Sequence, residues 1–146
     1  VKFVFIGSGF ENTNKALVDS ISSKSKLDRF ILMGERNDVN TCFGLMDIFC
    51  LPSRTEGFPN VLAEAMLSKL PCVSSDCGDA RLLSNGHVRI TKINDPIDLA
   101  DKITQILGLS TIERRILGQE SWSHVSNEYS MDRMVSRYDS LFEQLN

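Results

Sequence analysis

Residues 53–65 read SRTEGFPNVLAEA, and they carry the strongest signal in this sequence. An apolar, strand-like segment, residues 48–51, comes before them, and apolar residues with helical spacing follow Pro59. Proline suits the first position of a helix because it has no N–H to leave unpaired and its φ is already helical. The stretch therefore predicts the end of a buried strand, a tight loop, and a helix that begins near Asn60.

Two glutamates, Glu56 and Glu64, stand in this stretch with seven residues between them. Helical side chains lean toward the N-terminus, so we expect the Glu64 carboxylate near the free N–H groups of the helix start. Those groups and the positive end of the helix dipole favour phosphate. Glu56, on the loop, is expected to face the same crevice. A phosphate cradle between two carboxylates suits a ligand with central phosphates and hydroxyls at both ends, such as a nucleotide-sugar.

Each glutamate alone also has a purely structural explanation. The helix dipole stabilises an acidic residue in the first turn, and such a residue often only caps the helix. For Glu64 by itself the two explanations are evenly matched. The combination of Glu56, Gly57, Pro59 and Glu64 between a strand and a helix favours a binding site.

Residues 56–66, EGFPNVLAEAM, resemble the donor-binding motif of retaining GT-B glycosyltransferases, a group that uses two glutamates with seven residues between them. Other segments resemble the successive segments of that family in the same order: FVFIGSG (3–9), RFILMGE (29–35), MDIFCLPSRTEGFP (46–59), LPCVSSDCG (70–78) and YSMDRMVSRYDSLFEQL (129–145). The resemblance covers nearly the whole chain, and it matches the C-terminal, donor-binding domain of a two-domain enzyme.

The resemblance implies transfer of a sugar from a nucleotide-diphosphate donor with retention of anomeric configuration, often in the assembly of bacterial surface polysaccharides. It implies that Glu64 binds the ribose hydroxyls and that Glu56 is the catalytic carboxylate near the sugar ring. The other donor-binding residues are expected to lie between them: Gly57, Phe58, Pro59, Asn60 and Val61. No metal and no cofactor is expected, because the helix dipole and basic side chains would stabilise the leaving diphosphate.

Three more glycines mark loops that are candidates for contact with the donor or the acceptor. Gly7 and Gly9 follow the first predicted strand, but the third glycine of a dinucleotide fingerprint is absent, so a tight turn is the favoured explanation. Gly78 follows the fourth predicted strand, where it would let backbone approach the donor phosphates. Arg81 is expected to pair with Asp79 rather than with phosphate.

Short apolar strands alternating with helices predict an α/β fold, with a Rossmann-like, doubly wound parallel sheet that forms one half of a GT-B fold. The expected strands are residues 2–6, 29–33, 48–51, 72–75 and 88–91. Helices are expected at 14–23 and 60–69, then from Pro96, from Ser110 with a capping box to Glu113, and from Ser130.

The two C-terminal helices carry apolar residues at helical spacing. Ile112, Ile116 and Leu117 are expected to face inward on the first of them. The second has a stripe suited to core or interdomain packing: Met131, Met134, Val135, Tyr138, Leu141, Phe142 and Leu145.

The length of 146 residues predicts a single domain, here a nucleotide-sugar-binding one. The sequence begins without Met inside a predicted strand, so we expect a fragment truncated at its N-terminus. The resemblance then implies that an N-terminal acceptor domain, the central strand of the sheet, and the Arg and Lys that bind the diphosphate lie outside residues 1–146. Loss of a central strand predicts altered strand pairing or self-association. The fragment alone is expected to bind the donor and to be inactive.

The composition is that of a soluble globular protein, with 42% hydrophobic and 24% charged residues. A net charge of −3 disfavours a general nucleic-acid binder. No apolar run is long enough to cross a bilayer. Four cysteines without paired spacing and two distant histidines disfavour structural zinc. We expect a cytoplasmic protein, with peripheral association at the inner face of the membrane left open, and a glycan or lipid-linked acceptor.

Two other classes stay open. A GT-B epimerase acting on nucleotide-sugars would use the same donor cradle, but it would normally show more catalytic carboxylates and histidines. A non-catalytic α/β module, such as a receiver, would need an acidic cluster after its first strand and an aspartate after its third. Gly7 and Ser8, then Pro52 and Ser53, occupy those positions, which disfavours a receiver.

Overall fold

The computed structural model describes residues 1–145, which form two compact units, Val1–Cys42 and the chain from Phe43 onward. The strands and helices in chain order are β1 (Phe3–Ile6), α1 (Lys15–Ser22), a 3₁₀ turn (Leu27–Arg29), β2 (Phe30–Gly34), α2 (Val39–Phe43), β3 (Phe49–Leu51), α3 (Asn60–Leu67), β4 (Cys72–Ser75), α4 (Ala80–Ser84), β5 (Arg89–Thr91), α5 (Pro96–Leu107), α6 (Thr111–Glu128) and α7 (Met131–Gln144). All five predicted strands are present, each within one residue of its expected bounds. The α/β prediction is confirmed.

The helix ends follow the polar residues that the sequence places there. Asn14 caps α1, and Asp95 caps α5 with proline in the first turn. Ser110 and Glu113 form both hydrogen bonds of the capping box at the start of α6. Ser130 accepts a hydrogen bond from a backbone N–H in the first turn of α7. These side chains satisfy N–H groups that a helix start leaves without partners, so each helix begins where the sequence predicts.

The first unit contains a two-stranded parallel sheet. Phe3 of β1 pairs with Phe30 of β2, and their rings stack with centroids 5.2 Å apart. The ring of Phe5 meets Phe30 edge-on at 5.8 Å. Aromatic pairs of this kind add to the stability of a strand pair beyond the area they bury.

The second unit is built on a three-stranded parallel sheet with β4 in the centre. All four residues of β4 are buried, although two of them are serines, so this strand is covered on both faces. The helices α3 and α4 supply completely buried side chains to this core: Leu62, Ala65, Met66, Ala80 and Leu83. The core of this unit therefore lies directly beneath residues 53–65, at the start of α3.

The strand pairing differs from the single sheet of five strands that the sequence predicts. β1 pairs with β2, and β3, β4 and β5 form a second sheet in that order.

The inward face of α6 was predicted wrongly at its two isoleucines, whereas Leu117 is partly buried. Ile112 and Ile116 are 70% and 52% exposed, whereas Gly118, Ser121 and Val125 are buried. Gly118 has no side chain, and a Cβ atom there would overlap the carbonyl group of Lys69. α6 packs closely against the backbone at Lys69, so its buried face consists of small residues rather than isoleucines.

The apolar stripe of α7 is exposed. Each of its seven residues, from Met131 to Leu145, has between 46% and 75% of its surface accessible. Core packing of this stripe within residues 1–145 was therefore a wrong prediction, while interdomain packing stays a prediction. No helix between residues 1 and 145 combines the length and the apolar character needed to cross a membrane.

Candidate functional site

We call residues 53–59, which lie between β3 and α3, the motif loop. The beginning of this loop is hydrogen-bonded to the end of β4. The Ser75 hydroxyl shares its one proton between the carbonyl oxygens of Ser53, at 2.5 Å, and of Leu51, at 3.2 Å. Ser75 is 3% exposed, so these bonds form away from water. The chain direction at the beginning of the motif loop is therefore fixed by a buried serine that sequence reasoning passed over.

The middle of the motif loop is held by the loop that follows β4. The Asp79 N–H donates to the Gly57 carbonyl oxygen at 3.0 Å. Gly78 has φ +53°, and a Cβ atom there would overlap the Gly57 oxygen and lie 2.5 Å from the Glu56 carbonyl oxygen. The sequence predicted that Gly78 lets backbone come close to donor phosphates. The close approach that Gly78 permits in the structure is to the motif loop itself.

Gly57, unlike Gly78, has free space where a side chain would be. A Cβ atom built on Gly57 meets nothing within 4 Å, and its φ is one that other residues adopt. Neither the backbone nor the packing of the second unit explains a glycine here. The space beside Gly57 is open to a ligand.

The Glu56 carboxylate is oriented by the motif loop. The Ser53 hydroxyl donates a hydrogen bond to Glu56 Oε1 at 2.6 Å, and both residues are partly buried. A hydrogen bond to a charged acceptor is about twice as strong as one between neutral groups. Ser53 therefore restricts the positions that this carboxylate can take. The spacing of Ser53 and Glu56 was visible in the sequence, but their contact was not predicted.

α3 begins at Asn60 as predicted, but Pro59 does not have the predicted role of first helical residue. Pro59 has ψ 79°, which is not helical, so it is the N-cap residue rather than the first helical residue. The N–H groups of Leu62 and Ala63 donate to the Pro59 carbonyl oxygen at 3.0 and 3.3 Å. The Asn60 N–H donates to the Phe58 oxygen at 2.9 Å. Asn60 therefore does not offer a free backbone donor.

Between residues 57 and 61, three backbone donors remain unpaired. The N–H groups of Gly57, Phe58 and Val61 form no hydrogen bond with any other part of residues 1–145. Val61 lies in the first turn of α3, where the positive end of the helix dipole adds to the attraction for an anion. These three groups are available to phosphate oxygens or sugar hydroxyls.

Glu64 differs from Glu56 in having no protein partner. It is partly exposed on α3, and within the described chain its carboxylate forms no hydrogen bond and no ion pair. A carboxylate offers only hydrogen-bond acceptors, so its natural partners are hydroxyl or N–H groups of a ligand. Glu56 is thus a carboxylate oriented by the protein, and Glu64 is a carboxylate with no hydrogen-bond donor from the described part of the protein.

Phe58 joins the motif loop to the end of α6. Its ring, 40% exposed, lies with its centroid 5.7 Å from that of Tyr129. The Tyr129 hydroxyl donates to the Leu82 carbonyl oxygen of α4 at 3.4 Å, and burial raises the pKa of this tyrosine. In the sequence, Tyr129 stands out only as the first residue of segment 129–145, and no role was predicted for it.

The ion pair beside the motif is not the predicted one. Arg81 pairs with Asp76, with Nη2 and Oδ2 2.6 Å apart, and not with Asp79. Asp79 is the N-cap residue of α4, and Arg81 reaches past it to the end of β4. The hydrogen bonds from Arg81 lower the pKa of Asp76.

The first glycine loop belongs to the other compact unit. Gly7 has φ +135° and Gly9 has φ +87°, conformations that residues with a side chain rarely adopt. The Gly7 N–H donates to the Gly34 oxygen at 2.8 Å, and the Gly34 N–H to the Phe10 oxygen at 2.9 Å. The tight turn alone accounts for glycine at both positions.

The cysteines and histidines form no metal centre within the described chain, because no three His, Cys, Asp or Glu side chains converge there. All four cysteines are free thiols, and burial raises the pKa of Cys50 to about 11. His87 and His124, distant in sequence, lie with ring centroids 5.1 Å apart and their planes tilted by 31°. That contact was missed because the two residues belong to different elements.

Comparison with known proteins gives a family model and several relatives. The model described as glycosyl transferases group 1 matches residues 1–108. N-acetyl-alpha-D-glucosaminyl L-malate synthase from Bacillus anthracis is 23% identical over 143 residues, which is 97% of this chain and 37% of that protein. N,N'-diacetylbacillosaminyl-diphospho-undecaprenol alpha-1,3-N-acetylgalactosaminyltransferase from Campylobacter jejuni is 27% identical over 98% of this chain and 37% of its own length. The chain thus spans well under half of these relatives.

The fold is similar to that of solved structures. Anabaena Alr3699/HepE, crystallised in complex with UDP, superposes with a TM-score of 0.84 at 20% identity, covering 99% of this chain and 41% of that protein. This similarity confirms the fold as the half of a GT-B architecture that the sequence predicts.

Proposed function

The chain belongs to the glycosyl transferases group 1 family, and we propose that it is the donor-binding domain of an enzyme that transfers a sugar from a nucleotide-diphosphate donor. The arrangement around the motif loop carries this proposal. It combines an oriented carboxylate at Glu56, an unoccupied carboxylate at Glu64, unpaired backbone donors, and the open space beside Gly57.

Each part of the donor has a matching group in this arrangement. Glu64 accepts hydrogen bonds from the ribose hydroxyls, since a carboxylate has acceptors only. The N–H groups of Gly57, Phe58 and Val61 bind phosphate oxygens or sugar hydroxyls, and Pro59 and Asn60 shape the turn that presents them. Glu56, held by Ser53, lies against the sugar ring as the catalytic carboxylate.

The leaving group is a nucleoside diphosphate, whose charge grows as the sugar departs. Backbone donors and the positive end of α3 are already in place to stabilise that charge, so little reorganisation is needed during the reaction. We propose retention of anomeric configuration, as the resemblance implies, and a reaction that needs no metal or cofactor.

The acceptor and the cellular setting rest on the relatives. The Campylobacter protein is named for transfer to a diphospho-undecaprenol glycan, which supports a glycan or lipid-linked acceptor in surface polysaccharide biosynthesis. The acceptor domain is proposed to lie outside residues 1–146, with the activity in the cytoplasm, at the inner face of the membrane. Anabaena HepE was crystallised with UDP, which supports UDP as the first nucleotide to test.

The test uses the full-length protein that contains this chain. It is incubated with UDP-, GDP- and ADP-glucose, and nucleotide release is measured alongside the anomeric proton signal of the sugar product. We expect release with one donor and initial formation of the same anomer as in that donor. Glu56→Gln should lower turnover by about a hundred-fold, the scale on which loss of one transition-state contact acts.

Glu143→Gln, an exposed glutamate of α7, is the matched control and should leave turnover unchanged. Equal turnover in Glu56→Gln and the unaltered protein would contradict the role of Glu56. Initial formation of the opposite anomer would contradict retention.

A further inference from the structure

We infer that Tyr129, at the end of α6, is a positioning residue for nucleotide binding that acts through Phe58. The inference rests on the proposed function of the motif loop. Tyr129 follows the last residue of α6, far from the motif in sequence, and no contact between the two segments is visible from spacing. The structure brings their rings to a centroid distance of 5.7 Å.

Apart from this contact, the Phe58 side chain has no anchor of its own in the motif loop, and only its carbonyl oxygen is bonded, to the Asn60 N–H. Ser75 holds Ser53, and the Asp79 N–H holds Gly57. Phe58 is 40% exposed and has its ring against Tyr129 at an interplanar angle of 47°. The tyrosine therefore supplies a third fixed point, at the residue that links the open position Gly57 to the start of α3.

Tyr129 is itself fixed on two sides. Its hydroxyl donates to the Leu82 carbonyl oxygen at 3.4 Å, and its ring meets that of His124 edge-on at 6.0 Å. His124 Nε2 in turn donates to the Leu83 carbonyl oxygen at 3.0 Å. These two carbonyl groups belong to the last turn of α4, where carbonyl oxygens have no hydrogen-bond partner within the helix. α4 begins just after Asp79, so the same short helix supports the motif loop directly and through Tyr129.

The consequence for binding is pre-organisation. The Phe58 N–H is one of the unpaired donors, and the Phe58 carbonyl oxygen accepts the bond that turns the chain into α3. If the Phe58 ring were free, these groups would have to be ordered each time a nucleotide binds, and that ordering would reduce affinity. Tyr129 keeps them in place before the ligand arrives, without touching it.

The experiment is a double-mutant cycle on the full-length protein, with UDP as the probe and calorimetry as the readout. Tyr129→Ala and Phe58→Ala are each expected to weaken UDP binding roughly three- to ten-fold, as for a lost aromatic pair. The double variant should be no weaker than the weaker single variant, because the two residues act as one unit. Tyr129→Phe, which keeps the ring, should bind like the unaltered protein.

Controls separate positioning from loss of folding. All titrations are made at a temperature where circular dichroism shows each variant folded, and Tyr129→Leu replaces Tyr129→Ala if the alanine variant does not fold. Tyr138→Ala removes the chain's other tyrosine, which is 56% exposed on α7, and should leave UDP affinity unchanged.

The outcomes distinguish this inference from the proposed function. UDP binding that is unchanged in the folded Tyr129 variant, alanine or leucine, would overturn the inference, as would fully additive effects of that variant and Phe58→Ala. If the unaltered protein binds none of UDP, GDP and ADP, the proposed function is overturned, and the inference with it. If GDP or ADP binds instead, the cycle is run with that nucleotide.

Discussion

The loop after β1 and the motif loop after β3 both contain glycine, but for different physical reasons. In the first loop, Gly7 and Gly9 have positive φ angles, and the turn could not form easily with other residues. In the motif loop, Gly57 has an ordinary φ and open space around its Cα. Near the motif loop, the glycine at which a Cβ atom would overlap other atoms is Gly78, in the loop that follows β4 and supports the motif loop.

This comparison separates glycines that serve the fold from one that serves a ligand. Gly7, Gly9 and Gly78 each have a local reason to be glycine that needs no bound molecule. Gly57 has none, and it lies between Glu56 and the unpaired backbone donors. An unexplained glycine beside unsatisfied polar groups is a better indication of a site than a glycine-rich pattern alone. The predictions that follow are ordered by their expected effect on the free energy of unfolding.

Gly78→Ala is expected to have the largest effect. The added methyl group would overlap the Gly57 carbonyl oxygen at a φ that disfavours a side chain, so the two loops must move apart. Overpacking together with backbone strain should lower the free energy of unfolding by about 3 kcal/mol, measured by urea denaturation. Nucleotide affinity should fall as well, because the motif loop loses its support. A loss below about 1 kcal/mol would show that the close approach is easily relieved.

Gly9→Ala is expected to have an intermediate effect. Its φ of +87° strains a side chain, but a Cβ atom there comes no nearer than 4.0 Å to Asn14. Strain alone should lower the free energy of unfolding by about 1–2 kcal/mol in the same assay. Nucleotide affinity should stay unchanged. A clear fall in affinity would instead support contact of this loop with the donor or the acceptor.

Gly57→Ala should leave the free energy of unfolding within about 0.5 kcal/mol of the unaltered protein, as for a change at an open surface position. Its effect should appear in binding, because the methyl group occupies the space proposed for the donor. We expect a clear loss of nucleotide affinity in calorimetric titration. Unchanged affinity would mean that Gly57 does not border the ligand, and the comparison between the two loops would fail.

Arg81→Ala should have the smallest effect, and one that depends on pH. Arg81 lowers the pKa of Asp76, so the pair stabilises the folded state above the ordinary pKa of an aspartate. That contribution is lost as the pH falls through the lowered pKa of Asp76, where the carboxylate becomes protonated. The difference in unfolding midpoint between variant and unaltered protein should therefore be small at pH 7 and smaller still at pH 2. A difference that grows toward acid would have the wrong sign.

The sequence predicted the elements of this fold better than their packing. Strand and helix bounds follow apolar runs and capping residues such as Asp95 and Ser110, which are local features. The buried face of α6 depends on Gly118 meeting the carbonyl group of Lys69, a contact between elements that periodicity does not encode. The apolar spacing of α7 was recognised, but spacing cannot tell whether a stripe is covered.

The same limit applies to the candidate site. Glu56, Glu64 and the residues between them were recognised from a short stretch and its resemblance to a family. Their supports were not, because Ser75, Asp79 and Tyr129 reach the motif loop from other elements. Arg81 was given the wrong partner for a related reason, since the nearest acidic residue in sequence is not the one its side chain reaches.

The central claim is that residues 53–64 bind a nucleoside diphosphate and that the Glu64 carboxylate contacts it directly. The most direct measurement is calorimetric titration of the full-length protein and of its Glu64→Gln variant with UDP, GDP and ADP. We expect one nucleotide to bind the unaltered protein, and Glu64→Gln to weaken that binding about ten-fold, as for a lost hydrogen bond to a charged group. Absence of binding to all three nucleotides, or equal affinity in the variant, would contradict the claim.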